Sequence, residues 1–355
     1  MTKSIHGGNT AEISRKYGIN ESNLVDFSAN INPLGLSKEV KKAMINAIDK
    51  VEKYPDITYY NLINSISCYE GIDRKKLFLG NGAAEVIFNV ARGLKPKKVL
   101  IPAPTFGEYE EATLSINGKV EYYNLNEINN FELEEDLLNK LEGVDMLFIC
   151  NPNNPTGVLT SCEYIEKIAK EALKTNTVVV VDESFLDFLE DDSNYSCIDI
   201  LDKYENLIII KSLTKFFAMP GIRIGYGISS NINIREKINK VTIAWSVNVV
   251  AAESVIVALK EKRYIEESKR FIKEEQEYLY NKLKLFKDLK VFKPSVNFIM
   301  FKVLRDIDLK TILIQKGILI RSCDNYEGLD NSYYRVAVRT RKENDILIDK
   351  LKAVF

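Results

Sequence analysis

The sequence predicts an α/β protein in which a mostly parallel sheet forms a large domain and a smaller α+β domain follows. From about residue 77 to residue 227, apolar strands alternate with amphipathic helices, as in helix-covered parallel sheets. Val178 to Val181 form an uninterrupted apolar run, which is typical of a strand buried on both faces. With 355 residues and 46% hydrophobic content, the chain is long enough to bury a large core and a smaller one.

The individual elements follow from the same patterns. Residues 1 to about 35 are mostly polar and contain several glycines and asparagines, which indicates an arm. Ser37 is a favourable N-cap for a helix from Lys38, which we expect to end before Tyr54-Pro55-Asp56 because proline stops a helix. The predicted domains are an N-terminal arm joining the small domain (1–36), a large domain with the mostly parallel sheet (37–240) and a small C-terminal α+β domain (241–355). The predicted strands cover residues 76–79, 98–101, 120–123, 146–150, 177–181, 206–210, 298–302, 317–321 and 334–338.

Composition and charge exclude several classes of protein. The net charge of -1, without a long basic run, argues against binding to nucleic acid or to an anionic membrane surface. No window approaches the roughly 20 apolar residues that span a bilayer, and Met1–Gly8 contain no apolar signal core, so we expect a cytoplasmic protein. The five cysteines are scattered without a CxxC pair, which indicates neither a zinc site nor a disulfide framework, and no metal is expected.

The chain has a single histidine, His6. A hydrolase that depends on a histidine base would have to use this residue of the arm, and histidine-rich metal sites are excluded. Lysine is therefore the better candidate for a catalytic base.

The most informative motif is a lysine followed by an arginine eight residues later. Lys215 comes shortly after an apolar strand, in the segment Lys211–Tyr226, and Arg223 lies in the same segment. This is the layout of an anchor for pyridoxal 5'-phosphate (PLP), in which the lysine holds the cofactor aldehyde as a Schiff base. We expect Ser212, Thr214 and Arg223 to converge on the cofactor phosphate.

Asp182 ends the valine run and so lies at the carboxyl end of a buried parallel strand. Ligands of open α/β sheets bind at that edge. The next predicted strand, residues 206–210, delivers Lys215 to the same edge, and a carboxylate there can pair with a protonated pyridine nitrogen. We therefore predict Asp182 and Lys215 as the catalytic residues of one cofactor site.

Other segments carry weaker signals. Gly80–Glu85 separates a strand from a helix, where backbone amides can reach a phosphate, although most such turns only reverse the chain. Asn151–Gly157 follows a buried strand, and its prolines can hold an asparagine against a ligand; the alternative is a polar loop.

Phe106 either stacks on a flat heterocycle or packs in the core. Arg335 and Arg339, four apart in a predicted strand, either bind an anion together or lie on a solvated surface.

Four of these motifs occur in the order seen in fold-type I PLP enzymes, the aspartate aminotransferase superfamily. They are Gly82-Ala83-Ala84, Asn154-Pro155-Thr156-Gly157, Asp182-Glu183-Ser184-Phe185 and the segment Lys215–Arg223. Within the superfamily the chain resembles the histidinol-phosphate aminotransferase branch and, within that branch, the L-threonine-O-3-phosphate decarboxylases of cobalamin biosynthesis. The second resemblance rests on His6–Asn9, on Asp26–Gly35 and on the two C-terminal arginines.

The resemblance implies a homodimer and a role for each matching residue. Lys215 would carry the cofactor, Asp182 would bind the pyridine nitrogen, and Asn154 the ring hydroxyl. Phe106 would stack on the ring. The cofactor phosphate would be bound by Ala83, Ala84, Ser212, Thr214 and Arg223, joined by Tyr54 from the partner subunit. A small phosphorylated amino-acid substrate would be bound by Arg335 at its α-carboxylate and by His6, Asn32 and Arg339.

One position departs from the aminotransferase pattern. Aminotransferases of the superfamily usually carry a tyrosine three residues after the aspartate, where this chain has Phe185, as the decarboxylases do. The leading hypothesis is therefore a lyase that decarboxylates O-phospho-L-threonine to (R)-1-aminopropan-2-ol phosphate. The alternative is an aminotransferase that acts on histidinol phosphate or a related amino acid with 2-oxoglutarate. A third alternative, a protein that binds the cofactor without turnover, would not need Lys215, Asp182 and Arg223 together.

Overall fold

The computed structural model describes residues 6–355, so the first five residues of the predicted arm lie outside it. The helices are α1 (Thr10–Tyr17), α2 (Lys38–Ile48), α3 (Tyr60–Glu70), α4 (Ala83–Leu94), α5 (Glu108–Leu114), α6 (Cys162–Lys174), α7 (Ile232–Val241), α8 (Val249–Ala258), α9 (Lys262–Leu283), α10 (Leu309–Ile314) and α11 (Arg341–Lys352). The strands are β1 (Val25–Asp26), β2 (Leu77–Gly80), β3 (Lys98–Ala103), β4 (Lys119–Asn124), β5 (Met146–Cys150), β6 (Val178–Asp182), β7 (Leu207–Ser212), β8 (Gly225–Ile228), β9 (Leu289–Val291), β10 (Phe298–Val303), β11 (Ile318–Leu319), β12 (Arg321–Ser322) and β13 (Tyr333–Ala337).

The large sheet has seven strands in the order β2-β8-β7-β6-β5-β3-β4. Its strands are parallel except β8, which runs antiparallel to both of its neighbours. The predicted mostly parallel α/β fold is therefore confirmed. In the register of the sheet, Cys150 lies beside Asp182 and Asp182 beside Ile210, so the carboxyl ends of β5, β6 and β7 meet at one edge.

Both faces of this sheet are buried, as the valine run predicts. Successive side chains of a strand point to opposite faces, and here Val179 and Val181 belong to one apolar cluster while Val180 belongs to another. Residues of α4, α5 and α7 cover the face with Val180, and residues of α6 cover the other face. The edge of the sheet, and not its faces, is therefore available for a ligand.

A second sheet of four antiparallel strands has the order β12-β13-β10-β9. Helices α9 and α11 pack together, and α9 also lies against β9 and β10. The arm joins this region through β1, which pairs in parallel with β11, Val25 opposite Ile318. Although the arm is polar overall, Phe27 is fully buried, so the arm contributes to the core as well as to the surface.

Helix α2 ends earlier than predicted. Its N-terminus has the expected cap, since Ser37 accepts a hydrogen bond from the backbone N–H of Val40, but the helix stops at Ile48 and turns fill residues 49–53. The proline that follows Tyr54 thus lies beyond a helix that has already ended. The domain boundaries after residues 36 and 240 stay predictions. Within residues 6–355, no helix is long and apolar enough to cross a membrane.

Candidate active site

A cavity of about 450 Å³ opens at the carboxyl edge of the large sheet. The large sheet, the second sheet and the arm all contribute to its walls. The predicted site residues that line it are His6, Ala83, Ala84, Phe106, Asn154, Asp182, Thr214, Lys215, Arg223 and Arg335. Four predicted residues are not on its walls: Asn32, Tyr54, Ser212 and Arg339.

Lys215 follows β7 and reaches into this cavity. Its Nζ donates a hydrogen bond to the Ser212 Oγ at 3.3 Å and lies 5.5 Å from the centre of the Phe185 ring. Burial lowers the pKa of Lys215 below its ordinary value, although the nearby Asp182 carboxylate acts in the opposite direction. A lowered pKa leaves more of the amine neutral, which is the form that attacks a carbonyl group.

Asp182 is the last residue of β6 and is 3% exposed. Two groups fix its carboxylate: the Tyr109 hydroxyl donates to Oδ2 at 2.8 Å, and the backbone N–H of Ser184 donates to Oδ1 at 3.0 Å. Tyr109 is held in turn by stacking on Phe148, with ring centres 4.8 Å apart. A buried carboxylate in a fixed orientation suits pairing with a protonated ring nitrogen.

The N-terminus of α4 and Arg223 form an anion site beside Lys215. Gly82 is the N-cap of α4 and has a φ of 91°; a Cβ there would lie 2.4 Å from the Arg223 Nη2. Glycine is therefore needed for the guanidinium to approach the helix. Ala83 and Ala84 line the cavity in the first turn, where backbone N–H groups lack helical partners and favour a phosphate.

Ser212, the last residue of β7, contacts two residues of this site. Its Oγ lies 2.9 Å from the Thr214 Oγ1, and it accepts the hydrogen bond from Lys215. Thr214 lines the cavity, whereas Ser212 does not. The Ser212 hydroxyl thus contacts two residues that line the cavity, Thr214 and Lys215, but does not line the cavity itself.

Arg335 and Asn154 meet on the opposite wall. The Arg335 Nη1 donates to the Asn154 Oδ1, which also accepts from the Tyr326 hydroxyl at 3.5 Å, and the Nη2 donates to the Ser28 carbonyl at 2.7 Å. The Arg335 Nε is buried and has no hydrogen-bond partner among residues 6–355. Burial also lowers the pKa of Arg335 from its ordinary value. A buried guanidinium with an unused donor is suited to an anionic ligand.

Asn32 lies away from the cavity, contrary to prediction. Its Nδ2 donates to the Phe216 carbonyl at 2.9 Å, to the Ser268 Oγ at 2.8 Å and to the Tyr264 hydroxyl at 3.2 Å. Its Oδ1 accepts from the backbone N–H of Leu34 at 3.1 Å. These partners use the whole amide, so Asn32 joins the arm to the body of the protein and leaves no group for a substrate.

Arg339 is also outside the cavity. Its Nη1 donates to the Asp26 carbonyl at 3.0 Å, its Nη2 pairs with the Glu343 carboxylate at 2.6 Å, and its guanidinium lies over the Phe27 ring. The prediction that Arg335 and Arg339 share one side assumed an extended strand, but β13 ends at Ala337. The alternation of side chains therefore does not continue to Arg339.

Tyr54 does not reach the cavity of its own chain. The residue is 81% exposed, and its ring lies 4.6 Å from the ring of Trp245. Its predicted contact with the cofactor phosphate was assigned to a partner subunit and stays a prediction.

The cavity is also lined by residues that were not predicted as site residues, among them Asn30 and Arg321. The Asn30 Oδ1 is buried without a hydrogen-bond partner among the described residues. Arg321 is the Cα partner of Arg335 across β12 and β13, and both arginines are 5% exposed. Arg321 also donates from its Nη2 to the Asn325 Oδ1 at 2.6 Å, and the two arginines bring two guanidinium groups to one wall of the cavity. The only sequence signal for Arg321 was its position at the end of a predicted strand.

Comparisons with known proteins agree with this geometry. The model of the family "Aminotransferase class I and II" matches residues 22–351. The chain belongs to this family. It is 36% identical to a threonine-phosphate decarboxylase from Salmonella typhimurium, over 100% of this chain and 98% of that protein. It is also 36% identical to a bifunctional adenosylcobalamin biosynthesis protein from Leptospira interrogans, over 99% of this chain and 41% of that protein.

One solved structure that is similar to this chain is an aminotransferase and not a decarboxylase. The histidinol-phosphate aminotransferase from Clostridium acetobutylicum has 36% sequence identity and a TM-score of 0.88, and the match covers 93% of this chain and 99% of that one. The fold and the family of class I and II aminotransferases are therefore established, whereas two reactions occur among relatives of equal identity.

The cofactor of this family member is PLP. The cavity fits the cofactor: Lys215 offers an amine whose pKa is lowered by burial, and Asp182 offers a carboxylate in a fixed orientation. Gly82 leaves room for Arg223 at the helix N-terminus, which gives the phosphate a cationic site. The protein is thus a PLP-dependent enzyme of the class I and II family.

Proposed function

We propose that the protein decarboxylates L-threonine O-3-phosphate to (R)-1-aminopropan-2-ol O-2-phosphate, a reaction of cobalamin biosynthesis. The observation that carries the proposal is the pair of buried arginines, Arg321 and Arg335, on neighbouring strands of one cavity wall. The substrate has two anionic groups, a carboxylate and a phosphate, and two guanidinium groups match them. The full-length similarity to a threonine-phosphate decarboxylase supports the same conclusion.

The cofactor residues have distinct tasks in this proposal. The bound cofactor supplies an electron sink for the bond that breaks at the α-carbon. Lys215 holds the cofactor and moves a proton at the α-carbon, and Asp182 keeps the ring nitrogen protonated. The α4 N-terminus with Ala83 and Ala84 binds the cofactor phosphate, as do Thr214 and Arg223, with Ser212 behind them. Phe106 stacks on the ring, and Asn154 binds the ring hydroxyl.

The substrate residues divide between the two anionic groups. Arg335 binds the α-carboxylate with the donors that Asn154 and Ser28 leave unused. Because this contact fixes the orientation of the α-carbon, it selects which of its bonds breaks. Arg321, Asn30 and His6 surround the phosphate. This assignment replaces Asn32 and Arg339 of the sequence analysis by Asn30 and Arg321, because the first two side chains are occupied elsewhere.

Phe185 supports decarboxylation over transamination. Its ring lies 5.5 Å from the Lys215 Nζ and packs edge-on against Phe298, with ring centres 5.2 Å apart. Phenylalanine has no hydroxyl to donate at this position, so the reacting lysine faces an apolar surface. An apolar wall favours loss of the charged carboxylate as neutral CO2, because the negative charge is poorly solvated there.

The second candidate function is transamination of histidinol phosphate or a related amino acid with 2-oxoglutarate. The observation that favours it is the solved aminotransferase with 36% identity and a TM-score of 0.88. The arginine pair is compatible with it, since 2-oxoglutarate also has two anionic groups.

We also propose that the active unit is a homodimer in which Tyr54 completes the partner's cofactor site. Large apolar side chains are exposed on α2, on the segment before α3, at the first residue of α3 and on the segment before α8. They are Ile45, Ile48, Val51, Tyr54, Ile57, Tyr60, Ile243 and Trp245. An exposed apolar surface of this kind is typical of a protein interface, and Tyr54 lies within it.

The test separates the two reactions directly. The purified holoenzyme is incubated with O-phospho-L-threonine, with and without 2-oxoglutarate, and CO2 and glutamate are followed. We expect CO2 release that does not require the oxo acid, and no CO2 release by Lys215→Ala. Glutamate formation that requires both 2-oxoglutarate and an amino donor such as histidinol phosphate, without CO2, would move the protein to the aminotransferases.

A further inference from the structure

The segment that contains the single histidine, His6, contacts helix α5 through a carboxylate. The His6 Nε2 lies 2.7 Å from the Glu108 Oε1, and both side chains line the active-site cavity. Glu108 is the first residue of α5, 102 residues away in sequence. The Glu108 side chain is 16% exposed, against 48% for His6, so the carboxylate is the more firmly placed partner.

The backbone beside His6 is held independently of this contact. The backbone N–H of Gly8 donates to the Ser28 Oγ at 2.8 Å, and a Cβ on Gly7 would lie 2.0 Å from the Ser28 carbonyl oxygen. The same carbonyl accepts the hydrogen bond from Arg335. The segment is therefore anchored next to a substrate residue, and what remains to be fixed is the orientation of the imidazole ring.

Glu108 fixes that orientation from one side. The His6 ring is also tilted against the Phe106 ring, with centres 5.8 Å apart. With Nε2 engaged by Glu108, the nitrogen left for a ligand is Nδ1. A carboxylate that orients a histidine through one nitrogen while the other nitrogen acts is a recurring arrangement in active sites. The other charged or titratable groups on the wall shared with His6 are Glu110, Tyr122, Arg321, Tyr326 and Glu327.

We infer that Glu108 is a positioning residue for recognition of the substrate phosphate. It holds the His6 imidazole with a proton on each ring nitrogen, so that Nε2 donates to Glu108 and Nδ1 donates to the phosphate beside Arg321. Glu108 itself does not touch the substrate, because a carboxylate and a phosphate repel each other. The inference rests on the proposed function and names how that function selects a phosphorylated amino acid.

The experiment measures discrimination in favour of phosphate. Dissociation constants of the holoenzyme for O-phospho-L-threonine and for L-threonine are obtained from the change in cofactor absorption on rapid mixing, before turnover. The constant for L-threonine divided by the constant for O-phospho-L-threonine gives a ratio that is compared between variants. We expect Glu108→Ala to reduce the ratio about tenfold, the scale of one hydrogen bond to a charged group. Glu108→Gln, which can still accept from Nε2, should restore most of it. Glu111→Ala is the matched control, since Glu111 lies on the same helix but lines neither this cavity nor the wall beside it.

A double variant tests whether Glu108 acts through His6. In a His6→Ala background, Glu108→Ala should cause no further change in the ratio. The inference is overturned if Glu108→Ala leaves the ratio unchanged, if it still lowers the ratio when His6 is absent, or if the wild type does not prefer the phosphorylated ligand. Failure of the wild type to release CO2 would instead overturn the proposed reaction, because the ratio is measured by binding and does not depend on turnover.

Discussion

Two asparagines of the arm, two residues apart, differ completely in their surroundings. Asn30 lines the cavity with an unpaired Oδ1, whereas Asn32 is 2% exposed and its amide is fully bonded to Phe216, Ser268 and neighbouring groups. The family resemblance implied Asn32, and the local sequence pattern does not distinguish the two asparagines. The difference arises from contacts with α9 and with the loop after β7, which are distant in sequence.

Substitution of Asn30 and of Asn32 should affect different properties, binding in the first case and stability in the second. Asn30→Ala should weaken binding of O-phospho-L-threonine by about tenfold and leave the unfolding midpoint nearly unchanged, because its Oδ1 has no protein partner to lose. Asn32→Ala should lower the free energy of unfolding by about 1–3 kcal/mol, because it leaves buried partners unsatisfied. Denaturant unfolding and ligand titration of both variants check this. Equal effects of the two substitutions on binding would contradict the assignment.

The strands that carry the catalytic residues are joined by a buried ionic cluster. The Lys211 Nζ lies 3.0 Å from the Glu70 Oε2 and 3.9 Å from both the Glu183 Oε2 and the Asp187 Oδ1. The Tyr226 hydroxyl also donates to Glu70. These residues belong to α3, β7, β8 and the loop after β6, so the cluster fixes the segments that carry Asp182, Lys215 and Arg223.

Removal of the Lys211 ammonium should therefore lower the free energy of unfolding strongly. Lys211→Met leaves three buried carboxyl groups without the ammonium that lies between them, and we expect a loss of about 3–5 kcal/mol in the free energy of unfolding. Lys211→Arg, which keeps the charge, should lose much less. Chemical denaturation at neutral pH measures both. A loss below about 1 kcal/mol for Lys211→Met would show that the cluster is not a significant source of stability.

The same cluster makes stability depend on pH. Burial raises the pKa of Glu183 to about 7, despite the opposing effect of Lys211. Between the ordinary carboxyl pKa of 4.5 and about 7, the folded state thus binds a proton that the unfolded state has released, so stability falls as pH rises through this interval.

Glu183→Gln should abolish this contribution, because an amide does not titrate. We expect the wild type to lose about 2–3 kcal/mol through this group between pH 5 and pH 8. In the variant, the corresponding slope of unfolding free energy against pH should be smaller. Urea unfolding across this pH range compares the two proteins, and parallel slopes would show that Glu183 is ionised in both states.

For the whole molecule, the proposed exchange of Tyr54 between subunits can be tested by complementation. Lys215→Ala and Tyr54→Ala each remove one side of a shared site. In a mixed dimer, the Lys215→Ala subunit donates its Tyr54 to the intact Lys215 of the other subunit, which restores one site of two. Refolding an equal mixture should therefore recover roughly a quarter of wild-type activity, since about half of the dimers are mixed. Activity no higher than that of the separate variants would contradict a site shared between subunits.

At this scale the sequence predicted the large sheet well and the substrate side poorly. Strands β5, β6 and β7 are continuous apolar runs because both faces of the sheet are covered, and their carboxyl ends necessarily meet, which brings Asp182 and Lys215 together. The substrate wall is assembled from the arm and from short strands of the second sheet. Its composition depends on where β13 ends and on which arginine lies opposite Arg335, and neither is visible in a local pattern.

The most direct measurement determines which bond at the α-carbon breaks. The holoenzyme is supplied with O-phospho-L-threonine carrying deuterium on the α-carbon, in ordinary water without an oxo acid, and the product is analysed by mass spectrometry and NMR. Decarboxylation predicts CO2 and 1-aminopropan-2-ol phosphate that keeps the deuterium on carbon 1 and gains one proton from the solvent. Loss of the deuterium to water with the carboxylate retained would contradict the account, because it would show that the enzyme breaks the C–H bond, as an aminotransferase does.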